Sequence, residues 1–302
     1  MHSPFLLFEF CYPSYMPELP EVETVRLQLL HRLKGRTVAA VTVHHHKSVD
    51  HNADFSTLVT GKVIDHIDRI GKLMIFNFAD TPDFFLLAHL KMTGQFLFLD
   101  PAGNVGGGGH SLSPTDTHLP NRHTRISFML DNGMQLFFND MRLFGYVKIA
   151  DTAEVEAARR KFGPEPITEN FDVDYFIKAL KRRKTPVKAA LLDQSFVAGL
   201  GNIYVDEALF VAKVRPTRQA DKVTKAEAVL LAKAAGDIMN KSIQVGGTTF
   251  QHFVDTGGDN GNYTDYLQVF GKQGTPCPCC GTTIKKIRCA GRGTHFCPGC
   301  QR

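Results

Sequence analysis

The first hydrophobic pattern along the chain predicts an amphipathic helix near the amino terminus. Its apolar stripe follows the three- and four-residue spacing of one helical face and comprises Val22, Val25, Leu29 and Leu33. Pro20 suits the first turn of such a helix, and Gly35 is a suitable stop. Acidic residues in the opening turn complement the positive end of the helix dipole.

From residue 36 to residue 149 the pattern changes to short apolar runs separated by glycine, aspartate and asparagine. It predicts β-strands at Val38–Val43, Val63–Ile67, Leu73–Phe78, Phe84–Leu90, Phe96–Leu99, Ile126–Leu130, Met134–Phe138 and Tyr146–Ile149. Short strands joined by frequent turns are typical of a sandwich or a barrel. The segment Gly103–Leu119 contains four consecutive glycines and is predicted to be a surface loop.

Near Asp151 the spacing of the apolar positions becomes helical. The predicted helices are Val155–Phe162, Val173–Arg183, Pro186–Leu192, Tyr204–Phe210 and Lys225–Val245. A glycine-rich loop at Gly257–Tyr263 and a cysteine-rich tail follow. We therefore predict an α+β fold of two domains, in which a helix and a β-sandwich precede a helical domain with a small metal-binding appendage.

The composition indicates a soluble globular protein. The chain has 302 residues, of which 43% are hydrophobic, and this supplies enough apolar material for the cores of two domains. No apolar stretch reaches the roughly 18 residues of a membrane-spanning helix. The opening run Phe5–Cys11 is short and interrupted by Glu9, and it lacks the basic start and cleavage site of a signal peptide. We expect a cytoplasmic protein with no membrane partner.

Positive charge is concentrated in the second half of the chain. Residues 1–150 carry 13 Lys and Arg against 14 Asp and Glu, whereas residues 151–302 carry 22 against 16. The imbalance is largest from residue 178 onward, with 19 basic and 9 acidic residues. A basic half beside a neutral half is the charge distribution of a polyanion-binding protein, and a solvated basic surface is the alternative interpretation.

Six of the seven cysteines lie in the last 26 residues, which favours a metal site over a disulfide framework. Two Cys-x2-Cys pairs, 16 residues apart, predict one structural Zn²⁺ ligated by Cys277, Cys280, Cys297 and Cys300. Cys279 offers an alternative register. Four thiolates leave no open coordination position, so the metal is expected to stabilise the fold of the cysteine-rich tail and not to catalyse. The hairpin between the pairs is basic and includes Arg292.

A second basic element precedes a glycine-containing turn. Lys178–Lys188 has six positive residues and no acidic one, and as an isolated pattern it also fits a solvated helix face. In the turn Gly199-Leu200-Gly201-Asn202, two glycines allow close approach of the backbone to a phosphate. Asn202 is a suitable helix cap, which leaves backbone amides directed at an anion. Two helices joined by this turn are typical of a helix–turn–helix variant that binds the DNA backbone.

Together these motifs resemble those of the bacterial formamidopyrimidine-DNA glycosylases, over nearly the whole chain from Met16 to Arg302. The resemblance rests on Pro17–Glu23, Lys72, Asp140–Gly145, Gly199–Tyr204 and the cysteine tail. It implies a base-excision repair enzyme that removes 8-oxoguanine and formamidopyrimidines from damaged double-stranded DNA. The same enzyme would then cleave the strand as an AP lyase, by β- and δ-elimination. A monomer is expected.

The resemblance also implies domain boundaries. A catalytic β-sandwich domain would span 17–150 and a linker 151–163. A helix–two-turn–helix domain with a lesion-capping loop at Gly257–Tyr263 would span 164–265, and a β-hairpin zinc finger 266–302. An endonuclease VIII-like glycosylase for oxidised pyrimidines is the alternative enzyme, although its opening usually has Gly at the position of Leu19. A catalytically silent DNA-binding zinc protein is the alternative from another class.

The residues that would carry the chemistry follow from the same resemblance. Pro17 is the implied nucleophile, because a free proline amine that titrates near about 8 can form a Schiff base with the sugar. Glu18 is the implied general acid/base, with Glu21 as a supporting carboxylate. Lys72, which the resemblance places on a β-strand, is implied as a proton donor in β-elimination, and Arg292 is implied in δ-elimination. Without the resemblance, Glu18 and Glu21 would be interpreted as acidic residues that stabilise the start of a helix.

DNA contacts are implied at a further set of positions. Met92, Arg142 and Phe144 match the side chains that fill the gap left by a flipped base. The alternative for Met92 and Phe144 is ordinary strand core. Phosphate or lesion contacts are implied for His123, Arg183, Lys188 and Asn202. Arg183 stands where many family members have lysine, which keeps the charge.

One departure from the family pattern concerns Pro17. If residues 1–16 are retained, its nitrogen is a tertiary amide and has no free lone pair for attack. We therefore expect that residues 1–16 are absent from the mature enzyme, either through a start at Met16 with excision of that methionine or through removal of the segment.

Overall fold

The computed structural model describes residues 16–49, 54–110, 118–248, 253–254 and 262–302. Residues 1–15 of the predicted amino-terminal extension and residues 257–261 of the predicted lesion-capping loop lie outside these ranges. The helices are α1 (Leu19–Leu33), α2 (Phe55–Val59), α3 (Thr152–Arg159), α4 (Val173–Lys181), α5 (Val187–Leu192), α6 (Asn202–Val211) and α7 (Lys225–Gln244). None of the helices in the described part of the chain is long and apolar enough to cross a membrane.

Two antiparallel sheets form the predicted β-sandwich. Their strands are β1 (Val38–Val43), β2 (Ile64–Ile70), β3 (Leu73–Phe78), β4 (Phe85–His89), β5 (Gly94–Leu99), β6 (Val105–His110), β7 (Thr124–Leu130), β8 (Gln135–Asp140), β9 (Tyr146–Ala150) and β10 (Phe253–Val254). One sheet has the order β1-β7-β8-β5-β6-β10 and the other the order β2-β3-β4-β9. Their inner faces bury a shared aliphatic and aromatic core, which includes Phe76, Phe96 and Phe138.

The carboxy-terminal part of the chain packs α4 to α7 around a second core, which centres on Tyr204, Phe196 and Leu209. A separate hairpin, β11 (Lys285–Cys289) and β12 (Arg292–Phe296), carries the cysteine pairs at its base. The α+β architecture with a β-sandwich, a helical domain and a hairpin zinc finger is thus confirmed.

Helix α1 belongs to both cores. Leu19, in its first turn, is fully buried among the residues of the helical domain, whereas Val22 and Leu29 are buried inside the sandwich. Full burial of one such side chain is worth about 1.5–3 kcal/mol, so the helix fastens the two domains together. The residues immediately before α1 therefore lie where the domains meet.

The segment predicted as a surface loop at Gly103–Leu119 begins with a strand. Residues Val105–His110 form β6, which pairs with β5, and residues 111–117 lie outside the described part of the chain. The glycines serve close packing, since a Cβ on Gly107 would lie 2.1 Å from Cδ2 of Leu97. The predicted strand at Val63–Ile67 in turn extends to Ile70, which leaves Lys72 in the tight turn between β2 and β3 and not on a strand.

The segment 151–163, predicted as a linker, contains helix α3. Asp151 caps the helix by accepting a hydrogen bond from the backbone N–H of Glu154, and the Glu154 carboxylate accepts one from the backbone N–H of Asp151. The helix contacts β4 and β9, and Val155 is buried against the outer face of their sheet. The predicted helix was therefore placed three residues late, because the cap and not the apolar spacing determines where it begins.

Candidate active site

A cleft of about 1840 Å³ lies between the sandwich, the helical domain and the zinc hairpin. Its basic lining residues come from the sandwich, from the turn that follows α3 and from the zinc hairpin, and comprise Lys47, Lys72, Lys91, Lys148, Lys161, Lys286 and Arg292. Its acidic lining residues are Glu18, Glu154 and Asp193. The sandwich therefore contributes much of the positive charge of the cleft, although the first half of the sequence carries no net positive charge. The cleft is suited to a polyanion.

Glu18 closes the amino-terminal end of α6 from the other domain. Its carboxylate accepts hydrogen bonds from the backbone N–H of Ile203 at 3.0 Å and of Tyr204 at 3.5 Å. The amides at the start of a helix have no partner within the helix, and an anion satisfies them. The amides of this turn were predicted to face a phosphate of the DNA backbone, but in the structure they bind the Glu18 side chain. The predicted cap by Asn202 is wrong, since Asn202 is the first residue of α6 and its side chain points elsewhere.

The two glycines of the turn make room for the first turn of α1. A Cβ on Gly199 would lie 2.2 Å from Cδ1 of Leu19, and Gly199 also has a φ of +91°. A Cβ on Gly201 would lie 2.1 Å from the carboxyl carbon of Glu18. The glycines were predicted to let the backbone approach a phosphate, and in the structure they let it approach Leu19 and Glu18.

Lys72 and Glu18 are both buried at the wall of the cleft. Glu18 is 4% exposed and Lys72 is 7% exposed. Burial raises the pKa of Glu18 to about 7, although the positive charge of Lys72 opposes this shift. Burial likewise lowers the pKa of Lys72, opposed by the charges of Glu18 and Glu21 and assisted by Arg292. A carboxyl group that titrates near neutral pH in a cleft is suited to proton transfer.

A hydroxyl network holds Glu21 behind Glu18. The Tyr204 hydroxyl donates a hydrogen bond to Glu21 and also contacts Ser242 and Thr248. The backbone N–H of Thr248 donates to the same carboxylate at 2.8 Å, and the N–H of Glu18 donates to its other oxygen at 2.9 Å. Burial raises the pKa of Glu21 and of Tyr204. The network therefore connects α1 with α6, with α7 and with the segment that follows α7.

Two tight turns present Met92, Arg142 and Phe144 on the sandwich side. Phe144 is 49% exposed, which excludes the alternative of strand core for this residue, and the Arg142 guanidinium lies 4.8 Å from the centre of its ring. Fully buried Asp140 joins the turns: it accepts hydrogen bonds from the Thr93 hydroxyl, the backbone N–H of Arg142 and the backbone N–H of Gly145. Met92 and Phe144 both line the cleft.

The other predicted DNA contacts are dispersed. Asn202 lines the cleft and donates to the carbonyl oxygen of Gly293 at 3.0 Å. His123 is half-buried, and its backbone N–H donates to Asn121. Arg183 is partly exposed, lies 4.2 Å from the centre of the Phe196 ring and donates to the backbone of α4.

The predicted DNA contact by Lys188 is contradicted by the structure. Its side chain has no solvent exposure, and its ammonium group lies 2.6 Å from a carboxylate oxygen of Asp206, which is also fully buried. A charged group bound to an internal carboxylate and shielded from solvent has no surface to offer a phosphate. The family resemblance implied this contact, and the basic run Lys178–Lys188 agreed with it. In the structure the neighbours Lys181, Arg182 and Lys184 are exposed, whereas Lys188 is buried.

Two residues of the site, His89 and Asp206, were not singled out from the sequence, and Asp140 entered only as the first residue of a motif that carries the family resemblance. His89 lines the cleft next to Lys72 and accepts a hydrogen bond from the backbone N–H of Lys91, and burial lowers its pKa to about 3. Asp140 and Asp206 organise the turns and the hairpin from fully buried positions. An acid at a strand end or on a helix is usually exposed, so the sequence pattern held no signal for either role.

The four predicted cysteines meet in one cluster. The sulfur atoms of Cys277, Cys280, Cys297 and Cys300 lie within 4.8 Å of one another, and two of the distances are 3.4 and 3.8 Å. Tetrahedral zinc with Zn–S distances of about 2.3 Å needs sulfur atoms about 3.8 Å apart, so the cluster fits one structural Zn²⁺. Cys279 is exposed and is not a member of the cluster.

Comparison with known proteins agrees with this geometry. Three family models match: the formamidopyrimidine-DNA glycosylase N-terminal domain over residues 16–147, the formamidopyrimidine-DNA glycosylase H2TH domain over 162–254, and the zinc finger found in FPG and IleRS over 274–302. The formamidopyrimidine-DNA glycosylase of Lactobacillus johnsonii is 39% identical, over 95% of this chain and 99% of its own length.

Solved structures with the same fold come from Lactococcus lactis. The complex of Lactococcus lactis Fpg with DNA containing an abasic site has a TM-score of 0.83 and 35% identity, over 95% of this chain and 100% of that one. A complex of a mutant of the same Lactococcus lactis protein with DNA containing Fapy-dG has a TM-score of 0.84, with the same identity and coverage.

The fold, the cleft and the cysteine cluster thus define a DNA glycosylase with a carboxy-terminal zinc finger. With relatives of this identity along nearly its whole length, the chain belongs to the formamidopyrimidine-DNA glycosylase family.

Proposed function

We propose that this protein is a bifunctional DNA glycosylase and AP lyase that excises 8-oxoguanine and formamidopyrimidines from damaged double-stranded DNA. The observation that carries the proposal is the pairing of Glu18 and Lys72, two buried groups with shifted pKa values in one basic cleft beside Pro17. The Lactococcus lactis relatives were solved with damaged DNA, which supports the choice of substrate. We further propose that it acts as a monomer in the bacterial cytoplasm.

The nucleophile is the amine of Pro17 in a chain that begins at this residue. The N-terminal family model begins at Met16, and 95% of this chain covers 99% of the Lactobacillus johnsonii relative, which supports this starting point. The nitrogen bonds to C1′ of the damaged nucleotide as the bond from C1′ to the base breaks, and the amine proton leaves with the base. Protonated Glu18 then gives a proton to the ring oxygen O4′ as the sugar opens to an iminium ion.

Strand cleavage follows from that iminium ion. Loss of the C2′ proton to the Glu18 carboxylate, which has given up its own proton, yields an enamine, and the C3′–O3′ bond breaks as the 3′-side phosphate leaves with the electron pair and accepts a proton from Lys72. Loss of the C4′ proton to water then allows the C5′–O5′ bond to break, and the second phosphate leaves with that electron pair. Arg292, exposed at the tip of the zinc hairpin, binds the second departing phosphate. Zinc holds the hairpin in place and takes no part in the bond changes.

Met92, Arg142 and Phe144 stabilise the flipped state of the DNA. The exposed Phe144 ring enters the stack, and the Arg142 guanidinium faces the unpaired cytosine. His123, Arg183 and Asn202 contact the strand near the lesion, and these contacts depend on the path of the DNA through the cleft.

Borohydride trapping tests the function, because it reduces an imine between protein and DNA to a stable bond. A chain that begins at Pro17 is expected to form a trapped adduct on an 8-oxoguanine duplex, and less on a thymine-glycol duplex. The 302-residue chain with an intact Met16–Pro17 bond is expected to bind the same duplex and to trap nothing. Stronger trapping on thymine glycol would favour the endonuclease VIII-like alternative. Absence of trapping by the Pro17 form would favour a silent DNA-binding protein.

A further inference from the structure

A buried ion pair lies directly behind the tip of the zinc hairpin. Lys188 on α5 and Asp206 on α6 are both fully buried, and the ammonium nitrogen lies 2.6 Å from one carboxylate oxygen of Asp206. The other oxygen accepts a hydrogen bond of 2.7 Å from the backbone N–H of His295 on β12. The pair therefore connects two helices of the helical domain to a strand of the zinc hairpin.

The same lysine also binds the hairpin next to Arg292. Its ammonium group donates to the carbonyl oxygen of Gly293 at 3.3 Å, and the Asn202 side chain donates to the same oxygen at 3.0 Å. Gly293 is adjacent to Arg292, whose side chain is exposed to the cleft. Three hydrogen bonds thus join the helical domain to two residues, Gly293 and His295, that follow Arg292 on β12.

Zinc alone leaves this end of the hairpin unsupported. The four clustered cysteines lie at the base of the hairpin, whereas Arg292 follows the two-residue turn Ala290-Gly291 at its far end. Both turn residues have positive φ values, 52° and 70°, as in the tight turns of two-residue hairpins. The turn is exposed, and buried Cys289, the cross-strand partner of Arg292, anchors the β11 side through a 3.7 Å contact with the Pro216 carbonyl oxygen. The β12 side, which carries Arg292, depends on the contacts at Gly293 and His295.

We propose that Lys188 is a positioning residue, which through Asp206 and the Gly293 carbonyl holds Arg292 where the second departing phosphate forms. The proposal rests on the function proposed above, since it concerns the δ-elimination step of that reaction. It replaces the DNA contact predicted for Lys188 from the sequence. Lys188 acts on the substrate only through Arg292.

The charge of Lys188 is explained by this role better than by stability. Removing two charges from water costs about as much as their attraction returns, so a buried ion pair adds little to the stability of a fold. A buried ion pair does, however, favour one arrangement of the elements that it joins. An ammonium group has three N–H donors and can bind Asp206 and the Gly293 carbonyl simultaneously, which a shorter or apolar side chain could not do.

The test compares five variants of the chain that begins at Pro17, the fifth being Lys188→Met combined with Arg292→Ala. Lys188→Met removes the ammonium group, and Lys188→Met with Asp206→Asn also removes the unpaired carboxylate while leaving an oxygen for the His295 N–H. Arg292→Ala is the reference for loss of the second elimination. Lys184→Met is the matched control, because Lys184 lies in the same basic run but is exposed. Each variant is assayed on an 8-oxoguanine duplex for base excision, for the ratio of δ- to β-elimination products, and for zinc content.

Both Lys188 variants are expected to lower the δ-to-β ratio by about tenfold, with excision and zinc content retained, because a misplaced group loses catalytic effect steeply with distance. Lys184→Met should leave the ratio unchanged. Adding Lys188→Met to Arg292→Ala should not lower the ratio further, since both changes act on one group. In the Arg292→Ala background, adding Lys188→Met should leave the log–log salt slope of duplex binding unchanged, because the Arg292 contact is already absent and Lys188 contacts no phosphate.

Two results would overturn the proposal. One is an unchanged δ-to-β ratio in the variant that combines Lys188→Met with Asp206→Asn and retains its zinc. The other is a log–log salt slope that falls by about 0.9 when Lys188→Met is added to Arg292→Ala, which would restore Lys188 as a phosphate contact. A wild-type protein that cleaves no strand would contradict the proposed function and this inference together, whereas an unchanged ratio contradicts only the inference.

Discussion

Two regions of the molecule each bury a lysine near carboxylates, and they differ in how the charges meet. At the zinc hairpin, Lys188 and Asp206 are in direct contact at 2.6 Å, and both are closed off from solvent. At the cleft wall, Lys72 and Glu18 influence each other electrostatically, but within the described part of the chain no hydrogen bond or ion pair joins them. The cleft-wall pair faces the space that the substrate would occupy.

This difference separates a structural use of buried charge from a chemical one. The contact pair at the hairpin holds two helices and a strand in one arrangement. The separated pair at the cleft wall combines burial with incomplete neutralisation, so the pKa of Glu18 rises to about 7 and that of Lys72 falls. Groups with such pKa shifts are suited to proton transfer at neutral pH. The Lys188–Asp206 ion pair holds its elements in place and transfers no proton.

The largest expected effect comes from disabling the cleft-wall pair. Glu18→Gln should slow base excision by about 10²- to 10⁴-fold, because the amide cannot deliver a proton. DNA affinity should be retained, and so should the fold, since the glutamine oxygen can still accept from the amides at the start of α6. Single-turnover excision and duplex binding measure the two effects.

Glu18→Ala is the matched control for this substitution. It removes the cap of α6 as well as the acid, so it should also reduce the free energy of unfolding by about 1–2 kcal/mol. If Glu18→Gln excised the base at the wild-type rate, Glu18 would be a cap and nothing more.

Removal of the zinc disrupts the other region. Cys297→Ser should lose the metal and weaken DNA binding by about a hundredfold, because the hairpin that carries Arg292 and Lys286 loses its base. The sandwich should stay folded, since its core contains no residue of the zinc finger. Metal analysis, duplex binding and far-ultraviolet circular dichroism test these expectations, and full binding by the metal-free protein would contradict them.

The pKa of Glu18 measures the separated pair directly. Its carboxyl group should titrate near pH 7, and in Lys72→Met the midpoint should move upward by about one unit, since the ammonium group lowers it. Because the folded-state pKa lies above the unfolded-state value, this group's contribution to stability is lost as the pH rises from about 4.5 to about 7. Carbon-13 NMR of labelled glutamate, assigned with Glu18→Gln, follows the titration. A midpoint near 4.5 would contradict the account of the cleft wall.

The smallest effect is expected from a charge that belongs to neither region. Arg183→Gln should weaken binding to lesion and undamaged duplexes alike, by about threefold to tenfold, and reduce the salt slope by about 0.9. Arg183→Lys is the control, because it keeps the charge. A loss confined to the lesion duplex would contradict a backbone contact.

The sequence predicted most of the fold because local patterns determine it. The apolar stripe of α1 and the alternating runs of the sandwich needed no tertiary information. The glycines of β6 were interpreted as a loop, since glycine is a turn signal in sequence and its use for close packing against Leu97 depends on a neighbouring strand. Lys72 was placed on a strand, although the hairpin turn falls at that residue.

The zinc ligands could also be predicted from the sequence, because their spacing is short and specific. The roles of Glu18 and Lys188 were harder to predict from the sequence, because each depends on a residue distant in sequence. The family resemblance marked Glu18 as an acid, but its capping of α6 requires residues 203 and 204 of the other domain. Lys188 looked like a member of an exposed basic run, and only Asp206 shows its position inside the protein. Tertiary contacts of this kind leave no periodic signal.

The central claim is that the cleft-wall pair serves an amine on Pro17, and the site of the trapped adduct tests it most directly. The chain that begins at Pro17 would be reduced with borohydride on an 8-oxoguanine duplex, digested, and mapped by mass spectrometry. The account predicts that the sugar remnant lies on the peptide that begins with Pro17, and that Lys72→Met still traps. A remnant on Lys72, with Pro17 unmodified, would contradict it.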